Sequence, residues 1–221
     1  MKKSLIPNFF TSSNLGLGVL CIILAQQGEL VWAAFCILGS LFADALDGRT
    51  ARALGVSGEF GKELDSLADV VSFGAASAFL MYQYVLHEAG WIGIAAAVVY
   101  SVCGALRLAR FNISKKDVVG FFMGVPIPTG GCFFATIVLS GTMFDPYIMS
   151  AVVLITGLLL YSEVHYPDFK GKSADPLHTS ALLAVLVIGA GILYLDWHSV
   201  VFLPFALYMI YGIINTALNR K

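Results

Sequence analysis

Charged side chains are scarce in this sequence: Asp, Glu, Lys and Arg make up 12% of its 221 residues, whereas hydrophobic side chains make up 58%. A water-soluble domain of this length lacks the core volume to bury so much apolar surface. Uncharged stretches recur along the whole chain, and each suits a bilayer crossing, which takes about 20 residues. The composition therefore excludes an ordinary soluble protein and predicts an all-α integral membrane protein.

Cysteines in metal-binding arrangements are also missing. The four cysteines, Cys21, Cys36, Cys103 and Cys132, lie singly in apolar stretches, with no Cys-x-x-Cys pair and no Cys/His cluster. Such residues are typical of small buried hydrophobic side chains, and the pattern argues against a zinc site. Internal repeats and low-complexity tracts are absent too, so we expect residues 1–221 to form a single membrane domain.

The uncharged stretches predict a polytopic bundle of about eight transmembrane helices. They cover residues 10–26, 31–48, 63–86, 91–111, 126–143, 147–163, 179–195 and 199–218. The first stretch follows Lys2 and Lys3, as the apolar part of a signal peptide would, but no convincing cleavage site comes after it. We therefore expect it to be retained as a helix.

Positive charge is missing from one set of the predicted loops. All thirteen Lys and Arg residues fall on the opposite side of the predicted bundle, together with both termini. The positive-inside rule assigns that side to the cytoplasm. The sequence therefore predicts cytoplasmic termini and a cytoplasmic position for the polar segment at residues 44–69.

Four of the nine aspartates are concentrated in that segment. Asp44 and Asp47 end one apolar stretch, and Asp65 and Asp69 begin the next. Spacings of three and four residues put each pair on one helix face, and the glycines between the pairs suit a tight helical hairpin. The hairpin would bring four carboxylates together. Two divalent cations would balance their charge, and oxygen-only ligands favour Mg²⁺ or Mn²⁺.

Small and basic residues accompany the acids at fixed offsets. Gly48, Ala51 and Gly61 each lie four residues from an acid and leave room for a flat group, such as a nucleotide, to approach the backbone. Arg52 offers a guanidinium fork for phosphate oxygens. Acids that merely meet interfacial water, or that form an ion path in a transporter, do not predict these companions.

The acids and their companions form one eight-residue pattern, Asp44-x2-Asp47-Gly48-x2-Ala51-Arg52-x8-Gly61-x3-Asp65-x3-Asp69. This pattern resembles the signature of the CDP-alcohol phosphatidyltransferase family, with no departure in spacing. The resemblance implies a dimeric helical membrane enzyme with a di-metal site that opens to the cytoplasm. An alcohol oxygen would attack the lipid-side phosphorus of a CDP-linked lipid, and CMP would leave.

The resemblance also implies a role for each residue of the signature. Asp44, Asp47 and Asp65 would hold the two cations, and Asp69 would be a further ligand, the general base, or both. The remaining positions would bind the CDP-lipid: Gly48, Ala51, Arg52 and Gly61.

Three further stretches, residues 6–15, 104–112 and 124–128, are similar to the phosphatidylserine synthase branch of that family. This likeness implies CDP-diacylglycerol as the donor and L-serine as the acceptor. In the first stretch, Asn8 and Thr11 share a helix face and would also contact the CDP-lipid, unless they cap the first helix.

Arg107, Arg110 and Asn112 are the candidate serine-binding residues in the second of these stretches. A guanidinium suits the carboxylate that distinguishes serine from a simple alcohol. Anchoring of the helix by the positive-inside rule explains the two arginines about as well.

Other hypotheses stay open on the sequence alone. Glycerol 3-phosphate or an inositol phosphate would use the same acids, with cations such as Lys115 and Lys116 completing a phosphate pocket. An archaeal ether lipid would serve as donor in the same apolar surroundings, and a divalent-cation transporter would use the Asp cluster as its path. We expect a prokaryotic cell membrane, a homodimer and no nucleic-acid partner.

Overall fold

The computed structural model describes residues 4–56, 58–113, 121–167, 185–187, 189, 192, 194 and 197–219, and most of them are helical. The longer elements are α1 (Leu5–Gln26), α2 (Leu30–Leu54), α3 (Glu59–Asp69), a π-helical segment (Val70–Ala76), α4 (Ser77–Tyr84), α5 (Trp91–Ile113), α6 (Ile127–Ser140), α7 (Pro146–Tyr161) and α8 (Leu203–Asn219). Two 3₁₀ turns, Leu86–Ala89 and Trp197–Val201, and two short strands, β1 (Phe121–Met123) and β2 (His165–Pro167), complete the list.

Among the described residues, four helical rods are long and apolar enough to cross a membrane: α1, α2, α5 and the continuous rod Glu59–Tyr84, which comprises α3, the π-helical segment and α4. The apolar helices α6, α7 and α8 are shorter. The predicted class of polytopic helical membrane protein is thus confirmed. The span predicted at 179–195 lies mostly outside the described residues, so the count of eight and the cytoplasmic termini stay predictions.

Several helix ends differ from the predicted spans: α1 begins at Leu5 rather than at residue 10, and two of the other differences lie within the acidic segment. Helix α2 continues to Leu54, beyond the predicted end at residue 48, and α3 begins at Glu59 rather than at residue 63. Hydropathy detects only the apolar part of a helix, whereas backbone hydrogen bonding continues into the polar interface. Gly55 ends α2 in the left-handed conformation (φ 63°), which permits the short connection to α3.

Helices α1, α2 and the rod Glu59–Tyr84 pack together, while α5 packs on α7 and α6 lies against α2. At the end of the bundle that holds the α2–α3 connection, Asn112 of α5 bonds to Ser66 of α3. Strands β1 and β2 pair antiparallel, and Thr216 of α8 bonds to the backbone of His165 in β2. The carboxyl ends of α5, α7 and α8 therefore gather near the acidic segment.

The π-helical segment begins directly after Asp69 and is held by hydroxyl groups. Tyr100 of α5 donates to the carbonyl of Phe73 at 2.9 Å, and Ser72 donates to the carbonyl of Asn14 in α1 at 2.8 Å. Wide turns of this kind leave backbone carbonyls without their usual partners and are frequent at functional sites. The side-chain donors therefore fix the backbone that follows Asp69.

Close contact between α1 and the π-helical segment depends on Gly18. A Cβ atom there would lie 2.8 Å from the Cα of Ser72. We predict that Gly18→Ala forces the two segments apart and lowers the free energy of unfolding by about 1–3 kcal/mol, the usual cost of overpacking. Thermal unfolding of the protein in detergent measures the loss.

Gly16→Ala is the matched control. Gly16 lies in the same helix as Gly18, and a Cβ there would have no neighbouring atom within 4 Å. It should leave the melting temperature unchanged or raise it slightly, since alanine favours helix. Equal melting temperatures for the Gly18 and Gly16 variants would show that the close packing of α1 on Ser72 does not matter.

Candidate active site

Three carboxylates meet at the α2–α3 end of the bundle. Oxygen atoms of Asp44, Asp47 and Asp65 all lie within 4.8 Å of one another. The first two lie one turn apart on α2, and the left-handed turn at Gly55 reverses the chain so that α3 presents the third. The predicted cluster is therefore present for these three residues.

These carboxylates fit a divalent cation. All three offer oxygen ligands, and one oxygen of Asp65, Oδ1, is buried with no hydrogen-bond partner among the described residues. A buried carboxylate oxygen without a donor is costly, and like charges at this separation repel one another. A hard cation such as Mg²⁺ or Mn²⁺ would satisfy both requirements.

Asp69 does not join this group of three. Its side chain is 7% exposed, and its Oδ1 accepts a hydrogen bond of 3.0 Å from Nδ2 of Asn14 in α1. Asn14 lies in the stretch 6–15 singled out above, but nothing local relates it to Asp69, which is 55 positions away. The part of Asp69 as metal ligand or base stays a proposal, taken up below.

Helix α1 also contacts the three carboxylates through Thr11, whose hydroxyl donates a hydrogen bond of 2.7 Å to Oδ2 of Asp47. The N-cap of α1 is Ser4, so the alternative that Asn8 and Thr11 cap this helix is wrong. Asn8 faces the α3 glycine of the signature: a Cβ at Gly61 would lie 3.8 Å from its Oδ1.

The remaining CDP-lipid candidates lie along α2. A Cβ at Gly48 would come no closer to its surroundings than 3.4 Å, from the end of the flexible Arg52 side chain. Ala51 is half-buried, and Arg52 is exposed. The surface between these small residues and the acids therefore has room for a ligand, and a guanidinium borders it.

The two arginines of α5 have different surroundings. Arg110 donates from Nη1 and Nη2 to the backbone carbonyls of Tyr161 and Ser162 at the end of α7, at 3.0 Å each, and stacks over the Tyr161 ring. Arg107 is only 7% exposed, and its Nε has no hydrogen-bond partner among the described residues. It lies within electrostatic range of Asp69.

Asn112 links α5 to α3 instead of standing free. Its Nδ2 donates to the hydroxyl of Ser66 at 2.9 Å and to a carboxylate oxygen of Glu63 at 3.4 Å, while Lys62 donates to its backbone carbonyl. Its Oδ1 is buried without a partner among the described residues. Arg110 and Asn112 therefore bond to neighbouring helices, whereas the Nε of Arg107 has no hydrogen-bond partner among the described residues.

The fold and the site together define a helical membrane protein with a cluster of carboxylates that could hold a cation, and with a buried guanidinium in electrostatic range of Asp69. Comparison with known proteins makes the class specific. Residues 4–164 match the family model for CDP-alcohol phosphatidyltransferases, and the chain belongs to this family of metal-dependent transferases.

Relatives cover most of the chain. A Helicobacter pylori protein named CDP-diacylglycerol–serine O-phosphatidyltransferase is 35% identical over 219 residues, which is 96% of this chain and 90% of that protein. A Bacillus subtilis protein of the same name is 35% identical over 79% of this chain and 96% of its own length. An archaetidylserine synthase of Methanothermobacter thermautotrophicus is 32% identical over 77% of this chain and 72% of its own.

Removing one carboxylate charge from the cluster should abolish cation binding. We predict that Asp44→Asn, Asp47→Asn and Asp65→Asn each lose high-affinity Mn²⁺, measured by electron paramagnetic resonance on the purified protein, because an amide keeps the shape but not the charge. Phosphatidyl transfer should disappear with the ion.

Asp145→Asn provides the control for this experiment. Asp145 caps α7 by accepting from the backbone N–H groups of Tyr147 and Ile148, and asparagine is an equally good cap. That variant should bind Mn²⁺ like the parent protein. Undiminished Mn²⁺ binding in any of the three cluster variants would remove that residue from the metal site.

Proposed function

We propose that this chain transfers the phosphatidyl group of CDP-diacylglycerol to L-serine and releases CMP, at the cytoplasmic face of a prokaryotic membrane. The observation that carries the proposal is the cluster of three carboxylates, together with Arg107, which lies in electrostatic range of Asp69 and whose Nε is buried with no hydrogen-bond partner among the described residues. The names of relatives that match over most of the chain support serine as the acceptor. We further propose that the protein works as a homodimer.

The donor occupies the acidic side of the site. Asp44, Asp47 and Asp65 hold two cations, Mg²⁺ or Mn²⁺, which would neutralise the diphosphate and the departing CMP. Along α2, Gly48 and Ala51 leave space for the nucleotide. The other contacts to the donor come from Asn8, Thr11, Arg52 and Gly61.

Serine occupies the side that faces α5. The Arg107 guanidinium receives the serine carboxylate, and Asp69 accepts the proton of the serine hydroxyl through Oδ2, since its Oδ1 already accepts from Asn14. The hydroxyl oxygen forms the new bond to the lipid-side phosphorus as the bond from phosphorus to the CMP oxygen breaks. Arg110 and Asn112 support this wall through their bonds to α7 and α3.

The archaetidylserine synthase among the relatives favours one alternative donor, an ether-linked CDP-lipid, with the same acceptor amino acid. The apolar character of the helices does not distinguish an ester-linked from an ether-linked donor. Membership of a transferase family replaces the transporter hypothesis with an enzymatic one.

CMP release by the purified protein tests the proposal. CDP-diacylglycerol, Mn²⁺ or Mg²⁺ and L-serine should yield CMP and a lipid with the mass of phosphatidylserine, whereas omission of serine should stop both. Parallel reactions with glycerol 3-phosphate, an inositol phosphate and an ether-linked donor identify another substrate. Turnover with glycerol 3-phosphate and none with serine would refute the serine assignment.

Loss of the Arg107 guanidinium should weaken serine binding selectively. A charge-assisted hydrogen bond to a carboxylate is worth about 1.5–3 kcal/mol, so Arg107→Ala should raise the serine KM roughly ten- to a hundredfold. Arg107→Lys should recover only part of this, because an ammonium lacks the fork. Steady-state kinetics should show a nearly constant donor KM.

Arg110→Ala is the matched comparison, because Arg110 bonds to the end of α7. It should lower the melting temperature more than it changes the serine KM. Serinol, which lacks the carboxylate, should be a poor acceptor and indifferent to Arg107→Ala. Equal losses with serine and serinol would show that Arg107 does not bind the carboxylate.

A further inference from the structure

Asn14 is a fully buried polar residue in the middle of a helix that carries no acid of the signature. Its Nδ2 donates to Oδ1 of Asp69 at 3.0 Å. Its Oδ1 is buried without a partner among the described residues. A buried polar atom without a hydrogen bond costs stability, and such atoms in native proteins are often found at functional sites.

The backbone at Asn14 is fixed from two sides. Its carbonyl accepts the hydroxyl of Ser72 at 2.8 Å and the hydroxyl of Ser40, on α2, at 3.2 Å. One turn later, Gly18 lets the backbone of the π-helical segment approach α1 closely. Asn14 is therefore anchored to the segment that starts directly after Asp69, and its amide has little freedom to move relative to that carboxylate.

An amide suits this place because it is a neutral donor. A lysine or arginine here would pair with the carboxylate and compete with the cations for its negative charge. An asparagine orients one oxygen of Asp69 and leaves the net charge of the site unchanged. Thr11 stands in the same relation to Asp47, three residues earlier on the same helix.

We propose that Asn14 is a positioning residue for phosphatidyl transfer: it holds Asp69 so that Oδ2 faces the acceptor hydroxyl. This inference rests on the proposed function, in which Asp69 accepts the proton. Asn14 contacts neither substrate. It acts on the chemical step through Asp69, so it should affect kcat rather than the binding of either substrate.

Steady-state kinetics of Asn14→Ala and Asn14→Asp in the full-length protein test the proposal, with CMP release as the assay. Loss of one hydrogen bond to a charged group should lower kcat about ten- to a hundredfold. Both KM values should stay within about twofold of the parent values. Asn14→Asp keeps the shape but replaces the donor with an acceptor, so its kcat should fall at least as far.

Asn215→Ala controls for a purely structural effect. Asn215 is also buried, 2% exposed, but lies in α8, where its Oδ1 accepts from Tyr211. Its removal should lower the melting temperature yet keep kcat within about twofold of the parent. If Asn14→Ala does not fold, Asn14→Ser takes its place, because the shorter side chain fits the space and cannot span the distance to Asp69.

Three outcomes for the Asn14 and Asn215 variants would overturn the inference. They are an Asn14→Asp variant with parental kcat, a fall in kcat for Asn215→Ala equal to that for Asn14→Ala, and a rise of the donor or serine KM that accounts for the whole loss. Parental kcat in Asp69→Asn alongside a low kcat in Asn14→Ala would likewise overturn it and leave the transferase function intact. Failure of the parent protein to release CMP with serine would refute the proposed function instead.

Discussion

Repulsion among the clustered carboxylates is the constraint around which the structure is arranged. Oxygen atoms of Asp44, Asp47 and Asp65 lie within 4.8 Å of one another. Like charges about 4 Å apart repel by about 4 kcal/mol per pair near a protein surface. The left-handed Gly55 provides the tight connection that brings the two helices together, and bound cations would balance the charge. The metal requirement of the family follows from this geometry.

Neutral donors on α1 orient the acids without cancelling the charge that the cations need. Thr11 bonds to Asp47 on α2, and Asn14 bonds to Asp69 at the end of α3. One face of α1 thus touches an acid from each of the two signature helices. The close approach of α1 at Gly18 and the hydrogen bond from Ser72 to the Asn14 carbonyl hold that face in position against the π-helical segment. Without α1, Asp47 and Asp69 would lose the hydrogen bonds that orient them.

Spacing along the chain predicts the acid cluster, because residues three and four apart share a helix face whatever surrounds them. It does not predict the bond from Asn14 to Asp69, since nothing local relates two residues 55 positions apart. The arginines of α5 show the same limit. They are identical in type and one turn apart, yet only the fold brings the carbonyls at the end of α7 to Arg110. Hydropathy likewise misses the polar helix ends that carry Ala51, Arg52 and Gly61 of the signature.

The division of charge across the site explains how one fold could admit an anionic donor and a carboxylate-bearing acceptor together. On the α2 side, carboxylates need cations, and cations attract a diphosphate. On the α5 side, Arg107 is buried and close enough to Asp69 to interact electrostatically. Without this guanidinium, an acceptor carboxylate on the α5 side would be repelled by Asp69. A simple alcohol would gain nothing from the guanidinium, so under the proposed function Arg107 would favour an acceptor that carries a carboxylate close to its hydroxyl.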